Sequence, residues 1–205
     1  MSALARPLGP STVHAVIDMQ RLFMEGTAWG SPNTRRVVAP IAQLLSHRPS
    51  AAIFTRFITP HRREDAPGAW DHFYSHWPDV LLEKMDPAVL DLVPELGAFV
   101  PPGEVSDKIT YSAFADGDFA ERLRRRGADT LVFSGVETDV CVLLSALDAV
   151  DRGYRVIIAT DAVASSVDKA HEATLEHVYP RFDAQVELAT VAEIMAAWQP
   201  AESRS

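Results

Sequence analysis

Short apolar runs alternate along this chain with segments whose apolar residues recur at helical spacing. Val13–Ile17 is an apolar run that ends at Asp18 and reads as a buried first strand. Asn33–Ser46 carries Val37, Val38, Ile41, Leu44 and Leu45 on one helical face, with Pro40 expected to bend or restart the helix. Ala51–Thr55 predicts a second strand and Glu104–Asp107 a weaker third. Asp116–Arg126 predicts a charged helix closed by Gly127, and Thr130–Ser134 a fourth strand followed by a helix to about Arg152. Arg155–Ala159 is a fifth strand, Val167–Val178 a helix stopped before Pro180, and Ala184–Leu188 a sixth strand. Thr190-Val-Ala-Glu193 is a capping box that opens a last helix to Trp198. Near-continuous apolar strands separated by helices predict an α/β fold: a three-layer α/β/α sandwich on a six-stranded, mostly parallel, doubly wound sheet. One domain is expected across residues 1–205, with 1–12 and 199–205 as loose termini.

A chain of 205 residues with 47% hydrophobic content can bury a full core. The formal charge of −9 argues against nucleic acid or an anionic membrane as partner. No apolar stretch is long enough for a signal peptide or a bilayer span, and one cysteine cannot form an internal disulfide. A cytoplasmic protein acting on a small molecule is therefore expected.

That single cysteine, Cys141, falls after a strand and a turn, at the start of an apolar helix that Thr138 or Asp139 can cap. A helix N-terminus stabilises a thiolate. In a parallel sheet, ligands bind where the carboxyl ends of the strands converge. Asp18 closes the first strand, Lys108 follows the third and Cys141 follows the fourth. Alone, these are a possible helix cap, a surface lysine and a core thiol. Together they make chemical sense. A carboxylate takes the thiol proton, an ammonium steadies the thiolate, and the turn offers N–H groups to an oxyanion.

The segments AVIDMQRLF, SDKITYSAF and SGVETDVCV resemble the isochorismatase-like cysteine hydrolases, over roughly Val13 to Trp198. The resemblance implies a catalytic triad of Asp18, Lys108 and Cys141. It also implies a cis peptide at Val136–Glu137 and an oxyanion hole from the N–H groups of Glu137 and Cys141. Nicotinamidases in that family carry an Asp-x-His element after the second strand to hold a metal, whereas TRFITPHRRED has Phe57 and Thr59 there. His61, His72 and His76 form too incomplete a ligand set. No metal and no cofactor is expected. The thiol favours hydrolysis of an amide, carbamoyl or ureido C–N bond over isochorismatase-type cleavage of a vinyl ether. The intact triad argues against a non-catalytic binding or regulatory protein on the same fold.

Specificity is assigned to the long connection from Arg56 to Gly103, broken by Pro60, Pro67 and Pro78. It concentrates Trp70, Phe73, Tyr74 and Trp77 in a protein only 8% aromatic. These rings suit a pocket wall or a subunit interface, and a homo-oligomer, dimer or tetramer, is expected. Phe23, Arg56, Trp70, Tyr74 and Trp77 are the candidate substrate contacts. Arg56, Arg62 and Arg63 could bind a substrate carboxylate or pair with Glu64 and Asp65. Asp161, at the end of the fifth strand, is expected to hold loop backbone.

Overall fold

The computed structural model describes residues 4–198. Six parallel strands form one sheet in the order β3-β2-β1-β4-β5-β6: β1 Thr12–Ile17, β2 Ala52–Phe57, β3 Glu104–Lys108, β4 Thr130–Val136, β5 Arg155–Ala164 and β6 Val186–Ala189. Chain order runs one way from β1 to β3 and the other way from β4 to β6. Right-handed crossovers of opposite direction put helices on opposite faces, which gives the three layers. The change of direction lies between β1 and β4, where a crevice opens at the strand ends. Helix α1 (Pro32–His47) packs on one face. The opposite face carries a later helix, numbered α4 below after two short helices, α2 (Ala69–His76) and α3 (Pro94–Gly97), in the β2–β3 connection. Asp118–Arg125 is α4, Leu143–Asp151 α5, Asp168–Ala173 α6 and Val191–Ala197 α7. No helix among the described residues is long and apolar enough to cross a membrane.

Helix α1 runs unbroken through Pro40, capped at its start by Ser31 Oγ. An interior proline costs about 3 kcal/mol. Five buried side chains, Val37, Val38, Ile41, Leu44 and Leu45, each return about 1.5–3 kcal/mol, so the apolar face wins. The predicted capping box also forms, with Thr190 Oγ1 accepting from Glu193 N–H. Asp161 does hold backbone, accepting from Val191 N–H at 2.7 Å.

The start of the chain is not loose where it is described. Leu4 and Leu8 are buried, and Leu8 N–H bonds Ala197 O at 3.0 Å. The segment is tied to α7 at Leu8 and to β6 at Ala5, whose N–H bonds Glu187 Oε2 at 2.6 Å. Residues 1–3 and 199–205 lie outside the described residues. Strand β5 continues past Ala159 to Ala164, because Val163 and Ala164 pair with Gly135 and Val136 after a register shift. The helix expected over Val167–Val178 forms as α6 continued by a wider helical turn, Thr174–Val178, and Pro180 falls in the short 3-10 helix Tyr179–Phe182 that follows.

One close approach shapes the crevice. Gly135 has φ +108° and lies against β1, where a Cβ would fall 2.0 Å from Ile17 O. Only glycine fits there. The end of β4 is thereby drawn against the end of β1, next to Asp18.

Candidate active site

Asp18 ends β1 with φ +50°, a left-handed conformation that asparagine and aspartate tolerate better than most residues. The turn swings its carboxylate over the neighbouring strands. Thr55, on β2, holds it twice, accepting from Asp18 N–H at 3.1 Å and donating to Oδ1 at 2.7 Å. Gln20 fixes the segment beyond, with its amide bonded to the Phe57 N–H and to the Phe57 and Leu90 carbonyls. Oδ2 is left facing Lys108, whose Nζ lies 2.7 Å away.

Lys108 closes β3 and is buried, with Nζ 4.7 Å over the Phe57 ring. An ammonium has three protons to place. Asp18 Oδ2 takes one, Thr110 O another at 2.9 Å, and Cys141 Sγ lies at 3.6 Å to accept the third. Burial alone pushes a lysine down, but the Asp18 carboxylate and then Cys141 outweigh it, so Lys108 stays above its ordinary range and charged.

Cys141 is buried in a widened helical turn, Thr138–Val142, that precedes α5. Val142 N–H reaches back five residues to Glu137 O at 3.0 Å, a π-type bond of the kind often found at functional sites. Neither Thr138 nor Asp139 caps this turn, contrary to expectation. Thr138 Oγ1 pairs with His171 Nδ1 at 2.8 Å, and Asp139 bonds Ser165 Oγ. Glu137 takes the capping position, and the Val136–Glu137 peptide before it is cis. The thiol was expected to be acidified by the helix terminus. Instead burial pushes it well above the usual thiol range; Lys108 opposes this, but Asp18 adds to it. Burial thus favours the neutral thiol at rest, against the pull of the Lys108 ammonium towards a thiolate.

Sγ faces a cavity of ≈ 350 Å³ walled by Phe23, Trp29, Phe57, Phe73, Trp77 and Tyr111, with Glu137, Val140 and Ser166 beside the thiol. The Glu137 carboxylate is anchored by Ser166 N–H at 2.9 Å. A carboxylate, an ammonium and a thiol from three strand ends thus meet under one apolar cavity.

The sequence over residues 12–192 matches the isochorismatase domain model. The chain belongs to the isochorismatase family. It is 31% identical over 164 residues to nicotinamidase 3 of Arabidopsis thaliana, covering 78% of this chain and 76% of that protein. Its match to the isochorismatase family protein YwoC of Bacillus subtilis is 40% identical over 92 residues, 44% of this chain, and spans about half (48%) of that relative's length. A cysteine hydrolase from Pseudomonas syringae pv. phaseolicola superposes with a TM-score of 0.77 at 27% identity, over 93% of this chain and 94% of that one.

Within this isochorismatase fold the residues proposed as substrate contacts divide. Phe23 and Trp77 line the cavity. Trp70 and Tyr74 do not; both sit behind the wall, Trp70 against Tyr111 at 4.7 Å and Tyr74, fully buried, against Phe73 at 5.2 Å. Arg56 is also absent from the wall. Side chains alternate along a strand, and Thr55 and Phe57 take the triad side. Arg56 therefore meets Asp107, its register partner, in two bonds of 2.7 and 2.8 Å, with Asp91 at 3.6 Å. Arg62 and Arg63 are exposed near Glu83, Glu64 and Asp71. Arg56→Ala is expected to leave KM for the substrate unchanged in steady-state kinetics and to cost at most about 1 kcal/mol in a melt.

The metal element of nicotinamidases finds no replacement. Phe57 lies under Lys108, Thr59 is buried with its hydroxyl unpaired, and His72 and His76 are exposed and meet edge to face at 4.6 Å. No three His, Cys, Asp or Glu side chains converge among the described residues, so this donor set does not fit a metal. Trp29 and Tyr111, both on the wall, went unnoticed in the sequence. Each lies in a turn-rich stretch, and a ring within a dozen residues of Asp18 or Lys108 is the only signal that could have found them.

Proposed function

We propose that the protein is a cysteine-dependent amidohydrolase acting on a small amide, carbamoyl or ureido compound. The observation that carries this is the placement of Cys141 Sγ on the cavity wall, linked through buried Lys108 to Asp18. Charge accounting supports it. Asp18 carboxylate, Lys108 ammonium and a neutral thiol sum to zero in a buried site. Losing the thiol proton to solvent would leave a net negative charge there, which burial penalises. Passing that proton to Asp18 keeps the sum at zero, so the nucleophile is best made by internal transfer as the substrate arrives.

The thiolate sulfur then attacks the carbonyl carbon, and the N–H groups of Glu137 and Cys141 are assigned to the developing oxyanion. Asp18 returns the proton to nitrogen as the C–N bond breaks, leaving a thioester and releasing ammonia or an amine. Water gives a proton to Asp18, its oxygen attacks the thioester, and the carboxylic acid leaves as the proton goes back to sulfur. Lys108 keeps its proton throughout. A lone thiol nucleophile suits the reducing cytoplasm. Exposed Ile109 and Leu144 are offered to the contacts of a homo-oligomer, dimer or tetramer.

The test is ammonia release by purified protein from a panel of amides, ureas and carbamoyl compounds, with isochorismate in parallel. Cleavage of isochorismate without release of ammonia from any nitrogen compound would overturn the assignment in favour of ether hydrolysis. Activity is also expected to survive dialysis against a strong chelator. A loss reversed by one metal would show that His61, His72 or His76 had been misjudged.

A further inference from the structure

The cavity above Cys141 is more selective than its chemistry requires. Its walls are six aromatic rings. Trp29 is central, within 6.4 Å of Phe23, Phe57, Phe73 and Trp77 between ring centroids. A cavity of about 150 Å³ holds a benzene ring. At ≈ 350 Å³ this one accepts a ring together with the amide to be cleaved.

Charge sharpens the choice. No residue lining the cavity is cationic. The one buried cation near it, Lys108, has all three protons committed to Asp18, Thr110 O and Cys141. Arg56 is held by Asp107 and Asp91, away from the wall. The carboxyl group that does line the cavity is that of Glu137, anchored by Ser166 N–H. A carboxylate on the substrate would lose its water here and meet a like charge with no partner.

Building on the amidohydrolase assignment, we infer that the acyl group taken by this protein is aromatic and not anionic, so that amides bearing a second, carboxylate group are rejected. Trp29 and Trp77 form the acyl-binding walls that enforce the preference.

The experiment compares phenylacetamide with its para-carboxy derivative, with acetamide as the ringless reference. The carboxylate is expected to lower kcat/KM at least about 100-fold, as an unpaired buried charge must. Trp77 is 41% exposed, so Trp77→Ala is a safe variant for folding. It is expected to reduce the preference for phenylacetamide over acetamide about 10-fold, since the truncated ring is only partly buried and Trp29 remains on the wall. Equal or faster turnover of the para-carboxy derivative would overturn the inference. So would an unchanged ring preference in Trp77→Ala. Titration of the Cys141→Ala protein, followed by tryptophan fluorescence, reads the cavity without chemistry. If no amide is hydrolysed, the amidohydrolase assignment fails by itself. Tighter binding of phenylacetamide than of its para-carboxy derivative would still uphold the cavity's selectivity, and equal or weaker binding would refute it.

Discussion

Cys141→Ala is expected to lower amide turnover by at least about 10⁴-fold, the scale on which losing a nucleophile acts when the rest of its constellation stays in place. Cys141→Ser should do little better. A hydroxyl is a far weaker acid than a thiol, and the site already resists charging even the thiol. Ammonia release at high enzyme concentration measures the residue of activity, and a thermal melt checks that the fold survives. Near wild-type rates in either variant would remove covalent catalysis by this residue. The resting state can be read separately. An ordinary free thiol is largely ionised above about pH 8.5. Burial holds Cys141 above that range, so alkylation by iodoacetamide should still be climbing between about pH 7 and pH 9. A plateau at neutral pH would mean a resting thiolate, held by Lys108 against burial.

The difference between that expectation and one drawn from sequence shows what a linear pattern carries. The apolar runs of β1, β2, β4 and β5 were enough to place those strands, because a strand buried on both faces has no polar alternation to confuse with loop, whereas the edge strand β3, with Glu104, Ser106 and Asp107, gave a weaker signal. Three reactive side chains at strand ends could likewise be paired on topology alone. Depth was not legible. A thiol at a helix start looks acidic until the surrounding side chains exclude water from it, as they do at Cys141. Facing was not legible either. Arg56 sits between Thr55 and Phe57, and only the Asp18–Thr55 bond decides that Arg56 points away from the triad. The four aromatics of 70–77 read as one cluster, but α2 turns Trp70 and Tyr74 behind the wall, while Trp29 arrives from a remote turn. Long-range arrivals of that kind leave no local periodicity. Neither does the buried Gln20 amide, which ties β1, Phe57 and Leu90 together.

Asp18→Asn is expected to damage both chemistry and fold, and the two losses can be separated. Without a base, turnover should fall by about 10²–10⁴-fold, the usual contribution of a positioned proton acceptor. Asparagine also leaves Lys108 Nζ buried without a counter-charge, where the pair now meets at 2.7 Å with both side chains almost wholly inaccessible. Removing one partner of such a pair costs about 3–5 kcal/mol. In a chain of 205 residues that lowers Tm by roughly 10 °C. Lys108→Met strands the Asp18 carboxylate in the same way and should destabilise comparably. The double variant Asp18→Asn with Lys108→Met has no stranded charge, so most of the lost stability should return while activity does not. Stability losses that simply add in the double variant would show that the two residues are not a coupled pair. Recovered activity in it would show that neither the carboxylate nor the ammonium serves the reaction.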